Sequence, residues 1–144
     1  MSNPDFKGAQ NKILDGHKQQ MIRYESFIEK HHSAGVRAWE LHLQCYYNSN
    51  AECVHEYNQF HLQHHRVSRE KLAFRSQCFK KCKEDYNEPN NRSEIKSMQE
   101  LNQMKEYYGC MRPCVEQLIQ FTLKEIDVLD RSMENTNRFL KSSN

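Results

Sequence analysis

Apolar and half-apolar residues recur along this chain at intervals of three and four, and almost nowhere at intervals of two. In the first third they fall at Leu14, His17, Met21, Tyr24, Ile28, His31, Gly35, Ala38, His42 and Cys45, the period of one helix face turned inward. A second run carries Tyr57, Phe60, His64, Leu72, Phe74, Cys78 and Cys82. A third carries Met98, Leu101, Tyr108, Met111, Val115, Leu118, Ile126, Leu129 and Met133. Val/Ile alternation is nearly absent, and only four Gly and three Pro interrupt the chain, so strands are not expected. The pattern predicts an all-α fold in which three long helices, over roughly residues 7–47, 52–86 and 93–140, form two antiparallel hairpins. Residues 1–144 read as one domain.

The breaks have local causes. "NSNAE" (48–52) is a turn signal in which Ser49 or Asn50 can cap the second helix. "NEPNNRS" (87–93) is the clearest interruption, with Ser93 as the expected cap of the third helix and Glu94 in its first turn. "HSAG" (32–35) is a weak point in the first helix. Gly109 and Pro113 should loosen or kink the third. The final "LKSSN" is expected to fray.

Composition adds a constraint. Leu, Ile, Val and Phe make up 28 of 144 residues, a thin core for a chain of this length. A net charge of only +2 and an ordinary 10% of aromatics argue against disorder. Acidic and basic residues alternate as on a solvated helix surface, so no nucleic-acid partner is expected. No run of 18 apolar residues exists, so no transmembrane segment is expected. The start, "MSNPDFKGAQNKILDG", has no apolar h-region and carries Asp5, so neither a secretory signal nor a cleaved mitochondrial presequence is expected.

Six cysteines change the picture most. "QCFKKC" (77–82) and "GCMRPC" (109–114) each hold two cysteines four apart, and such pairs share one helix face. With the second and third helices antiparallel, Cys82 faces Cys110 and Cys78 faces Cys114. The crossed pairing would need parallel helices. Cys45 and Cys53 would lie about 12 Å apart on one helix, beyond disulfide reach. Folded back at "YYNSNAE" they can face each other. Disulfides 78–114, 82–110 and 45–53 therefore account for all six cysteines. The competing reading gathers Cys78, Cys82, Cys110 and Cys114 around a tetrahedral zinc. Zinc knuckles favour Cys-x-x-Cys on tight turns, which weighs toward disulfides, and the thiol-oxidoreductase spacing and its strand context are both missing.

No catalytic residue is expected, and no cofactor. "FHLQHHR" sets His61 and His65 at i, i+4, a ligand-compatible spacing and a minor metal alternative, but no Glu stands between them in the metalloprotease pattern. A polar helix face or a partner contact is the preferred reading for them, as it is for His31, His32 and His42. Met98, Met104, Met111 and Met133 read as core filler. The chain has no Gly-rich phosphate loop, nucleophile elbow or ordered Ser/His/Asp set.

"CFKKC" (78–82) and "CMRPC" (110–114) resemble the last two motifs of the eukaryotic proteins called "family with sequence similarity 136" (domain of unknown function 842), over about residues 37–125. "RAWELHLQC" is similar to the approach to that family's first motif, leaving Cys45 as its remaining cysteine, and Cys53 resembles the last cysteine of the second. The inner cysteine of each early motif is missing and the loop between them is shorter. The resemblance implies a small helical mitochondrial protein of the intermembrane space, brought in and oxidised by the import machinery that installs disulfides in helical hairpins without a presequence. It implies no reaction.

These readings converge on a non-enzymatic accessory subunit of a mitochondrial assembly, such as an inner-membrane respiratory complex, whose partners are other protein subunits. Trp39, Tyr46, Tyr47, Tyr107 and Tyr108 are more numerous than a thin core requires; they suit an interface, and packing around the cysteine staples accounts for them nearly as well. Two other classes stand beside it: a small-Tim-like intermembrane-space chaperone, disfavoured by the long 83–109 connection, and a Cys/His metal-binding protein.

Overall fold

Helix formation starts where a side chain can satisfy the first free backbone donors. The computed structural model describes residues 5–89 and 94–142. The first helix, α1, spans Phe6–Tyr47, and the Asp5 carboxylate accepts the Gly8 N–H at 2.9 Å, an N-cap. The helix then runs unbroken through 32–35. The expected weak point does not interrupt it, because the small residues there lie against another helix.

α1 ends in a Schellman motif. Ser49 takes a left-handed φ of 53°, the Ser49 N–H is donated to the Tyr46 carbonyl and the Asn50 N–H to the Cys45 carbonyl, both at 3.0 Å. Asn50 then opens α2 (Ala51–Asp85), its Oδ1 accepting the Cys53 N–H at 3.1 Å. Of the two expected caps, Asn50 is the one used.

α3 spans Met98–Ser142 and begins later than expected. Glu94 lies outside the helix, and Ser93 lies outside the described residues. The working cap is Ser97, whose Oγ accepts the Glu100 N–H at 3.2 Å. Glu100 reaches back to the Lys96 N–H at 2.8 Å, a variant of the capping box. Pro113 sits inside the helix without ending it. Among the described residues there is no strand, and the chain is the expected all-α arrangement of three long helices in antiparallel hairpins.

The residues divide into two compact units: Met1–Tyr24 with Ala73–Leu118, and Glu25–Leu72 with Ile119–Asn144. In the first unit Leu101, Met104, Tyr107, Val115 and Leu118 of α3 are buried with Tyr24 and Cys82. Cys78 pairs with Cys114 and Cys82 with Cys110, with Cα–Cα distances of 5.9 and 5.7 Å. The two bridges lie side by side, the Cys82 and Cys114 sulfurs 3.8 Å apart.

In the second unit Ala34 and Ala38 of α1 pack with Leu129 of α3, and Tyr57 and Met133 close over them. At Gly35 an added Cβ would meet Leu129 at 4.0 Å, an ordinary contact, so an alanine would fit there. Cys45 pairs with Cys53 across the α1–α2 turn, Cα–Cα 5.6 Å.

Four assignments shift. Tyr107, expected among the interface aromatics, is only 4% exposed and takes the buried place expected of Tyr108, which is half-buried. Leu72 is 66% exposed and Lys71 takes the inward position instead. Met98 is 51% exposed, since it is the first residue of a helix that starts late. Ile28 is exposed while Phe27 is half-buried.

Candidate functional site: a buried polar layer and an exposed aromatic face

The α3 stripe of the second unit is not uniformly apolar. Thr122, Glu125, Ser132 and Thr136 alternate with Ile119, Val128 and Leu129, and all are buried. Thr136 satisfies its hydroxyl locally by donating to the Ser132 carbonyl at 2.7 Å. Glu125 has no such local solution, and it is only 3% exposed. An ionised carboxylate at that depth costs several kcal/mol unless it is paired and hydrogen-bonded.

The partners come from the other two helices. His64, Ser68 and Lys71 succeed one another at intervals of four and three along one face of α2. Lys71 Nζ lies 2.9 Å from Glu125 Oε1, with both side chains largely buried. Ser68 Oγ donates to Oε2 at 2.6 Å. His31 of α1 brings Nε2 to 3.6 Å from Oε2 and to 2.7 Å from His64 Nε2. The two imidazole planes are inclined by only 25°.

Burial pushes the His31 pKa below its ordinary value of 6.5; Glu125 pulls it back up, and Lys71 and His32 add to the depression. Burial also lowers His64, helped by His31 and opposed by Glu125. Both rings are therefore neutral at pH 7. A hydrogen bond between two Nε2 atoms then requires one ring to carry its proton there and the other to leave that nitrogen free.

His61 and His65, the histidines picked out by their spacing, are exposed and stand outside this group. His61 instead stacks near Tyr57, ring centroids 6.0 Å apart. Tyr57 in turn stacks on His42 at 4.0 Å. His42 Nδ1 is buried without a hydrogen-bond partner among the described residues. Burial lowers the His42 pKa, and His61 lowers it further. The one sequence signal for this layer is that charged and hydroxylated residues fall on the inward stripe of both α2 and α3, and it becomes decisive only once Lys71 and Glu125 are seen to pair across the helices.

A different surface of the same unit is apolar and largely exposed. Val36, Trp39, Leu43, Tyr46 and Tyr47 follow helical spacing on the side of α1 away from Ala34, Ala38 and Cys45. Trp39 is 52% exposed, Tyr46 68% and Tyr47 76%.

The first unit carries a groove of about 860 Å³ between α1 and α3, lined by Lys12, Ile13, His17, Arg23, Lys105 and Arg112 among others. Arg23 spans it to Glu116 at 2.8 Å, and Gln20 donates to the Arg112 carbonyl at 2.8 Å. His17 packs against Tyr108, centroids 4.8 Å apart.

The fold and these features define a class: a disulfide-stapled three-helix protein with a polar layer in one unit and an aromatic face on its first helix. No protein-family model, curated protein or solved structure matches the chain. Among the described residues no helix is long and apolar enough to cross a membrane.

Proposed function

We propose that this chain is a non-enzymatic structural subunit of a mitochondrial protein assembly on the intermembrane-space side. The observation that carries the reading is the exposed stripe of Val36, Trp39, Tyr46 and Tyr47 on α1. Aromatic side chains of this kind are enriched in protein–protein interfaces, where a rigid ring is covered while a hydroxyl or indole N–H keeps a polar partner. The three cysteine pairs suit an oxidising compartment. The resemblance of the "CFKKC" and "CMRPC" segments to "family with sequence similarity 136" supports the intermembrane-space part of the proposal.

The test is a tagged full-length chain expressed in its own cells. Fractionation should place it in the intermembrane space, and native separation should show it in a stable complex at fixed stoichiometry. A Trp39→Ser/Tyr46→Ser/Tyr47→Ser variant should keep its helical content and leave that complex. A matrix location, or wild-type chain migrating as a monomer in native extracts, would sink the proposal. A ring made only of this chain, holding unfolded precursors, would replace it with a small-Tim-like chaperone.

A further inference from the structure

The polar layer brings one ligand-capable side chain from each helix to a common point. His31 Nε2, His64 Nε2 and a Glu125 carboxylate oxygen all lie within 4.8 Å of one another. We propose that these three residues form a binding site for one divalent transition-metal ion of the Zn²⁺ type, with water as fourth ligand.

Ligand geometry supports this. Metal–ligand bonds of about 2.0–2.1 Å in a tetrahedron separate the ligand atoms by roughly 3.3 Å. The His31–Glu125 distance of 3.6 Å is close to that edge. The His31–His64 distance of 2.7 Å has to open by roughly half an ångström, which small rotations of two half-buried rings supply. The metal replaces a single hydrogen bond.

The donor set also selects the ion. Two imidazoles and one carboxylate suit Zn²⁺, Co²⁺ or Fe²⁺, whereas Mg²⁺ and Ca²⁺ take oxygen ligands. Glu125 is already held in place. Ser68 donates to Oε2, leaving that oxygen a further lone pair, and Lys71 holds Oε1. Such outer contacts orient ligating carboxylates and tune affinity. The Lys71 charge sits on the far oxygen, so affinity is moderate rather than that of a structural zinc finger. The proton that one Nε2 carries in the His31–His64 hydrogen bond moves to Nδ1 of its ring when that nitrogen takes the metal. Three protein ligands with two half-buried histidines leave a side open to solvent, as in sites that retain a water.

The experiment uses the oxidised full-length protein, stripped with chelator and titrated with Co²⁺ and then Zn²⁺. One equivalent of Co²⁺ should produce visible d–d bands of tetrahedral intensity, and Zn²⁺ should bleach them. Nitrogen-detected NMR of the eight histidines should show the Nε2 atoms of two rings shifting with Zn²⁺. His64→Gln should abolish the bands. Ser68→Ala should weaken binding about tenfold, and a His61→Gln/His65→Gln control should bind like wild type. Circular dichroism checks that each variant is folded. The proposal is overturned if wild type shows no bands and no two-ring shift, if folded His64→Gln binds unchanged, or if the His61/His65 control loses the metal.

Discussion

Lys71 and Glu125 are a case in which one side chain makes another tolerable. Glu125 is buried on α3, and Lys71 takes an inward position that an apolar residue would otherwise fill. Lys71→Met removes the ammonium that pairs with that carboxylate and should destabilise the protein by about 3 kcal/mol. Lys71→Met/Glu125→Leu should recover most of that loss, because an apolar pair of similar volume needs no compensation. Urea midpoints of the three proteins decide the matter.

His42 gives a second residue-scale expectation. Its folded pKa is lowered, so the unfolded chain binds the proton more readily. Stability from this source is complete above the ordinary value of 6.5 and is lost as pH falls from there through the folded value. Tyr57 stacks on the ring, Trp39 packs beside it at 5.2 Å and His61 adds like charge from α2. His42→Phe should therefore flatten the decline in urea midpoint between about pH 7 and about pH 5. An unchanged slope would assign the decline to other histidines.

Helices were the most legible elements, because three-and-four periodicity persists over many turns and is hard to mistake. The first two match their expected spans to within a residue at each end. The third start was misplaced because two serines compete, and Ser97-Met98-Gln99-Glu100 has the stronger capping signature. Leu72 departs from its expected place because its own hydrophobicity does not decide the face. The inward face of α2 is set by its whole series, from Cys53 through Tyr57, His64 and Lys71 to Cys78. The polar layer was hidden for the same reason: neither a carboxylate nor a lysine advertises burial until its partner on another helix is known. The turn offers a test at this scale. Asn50 ends one helix, caps the next, and through Nδ2 reaches the Phe139 carbonyl at 3.4 Å. Asn50→Ala should cost about 1–2 kcal/mol, whereas Ser49→Gly, relieving a left-handed φ, should be neutral or stabilising in the same thermal melts.

For the molecule as a whole, the staples supply what a thin core does not. In the chain-entropy account, closing the separation of 28 between Cys82 and Cys110 is worth about 3.6 kcal/mol, and the separation of 8 between Cys45 and Cys53 about 2.5 kcal/mol. Replacing all four cysteines of the nested bridges, Cys78, Cys82, Cys110 and Cys114, by Ser should therefore lower the urea midpoint more than Cys45→Ser/Cys53→Ser. Equal or reversed losses would mean that packing, not loop closure, dominates at these bridges.

The same bridges have a mechanical meaning. Covalent links of sequence separation 36 and 8 take those stretches out of the load path when the two ends of the chain are pulled apart. At 3.3–3.6 Å per extended residue, the oxidised protein should stretch to a contour roughly 140 Å shorter than the reduced one. Single-molecule extension before and after a reductant would read that difference directly. A tether whose reach is set by its redox state is what three helices and six cysteines amount to under load.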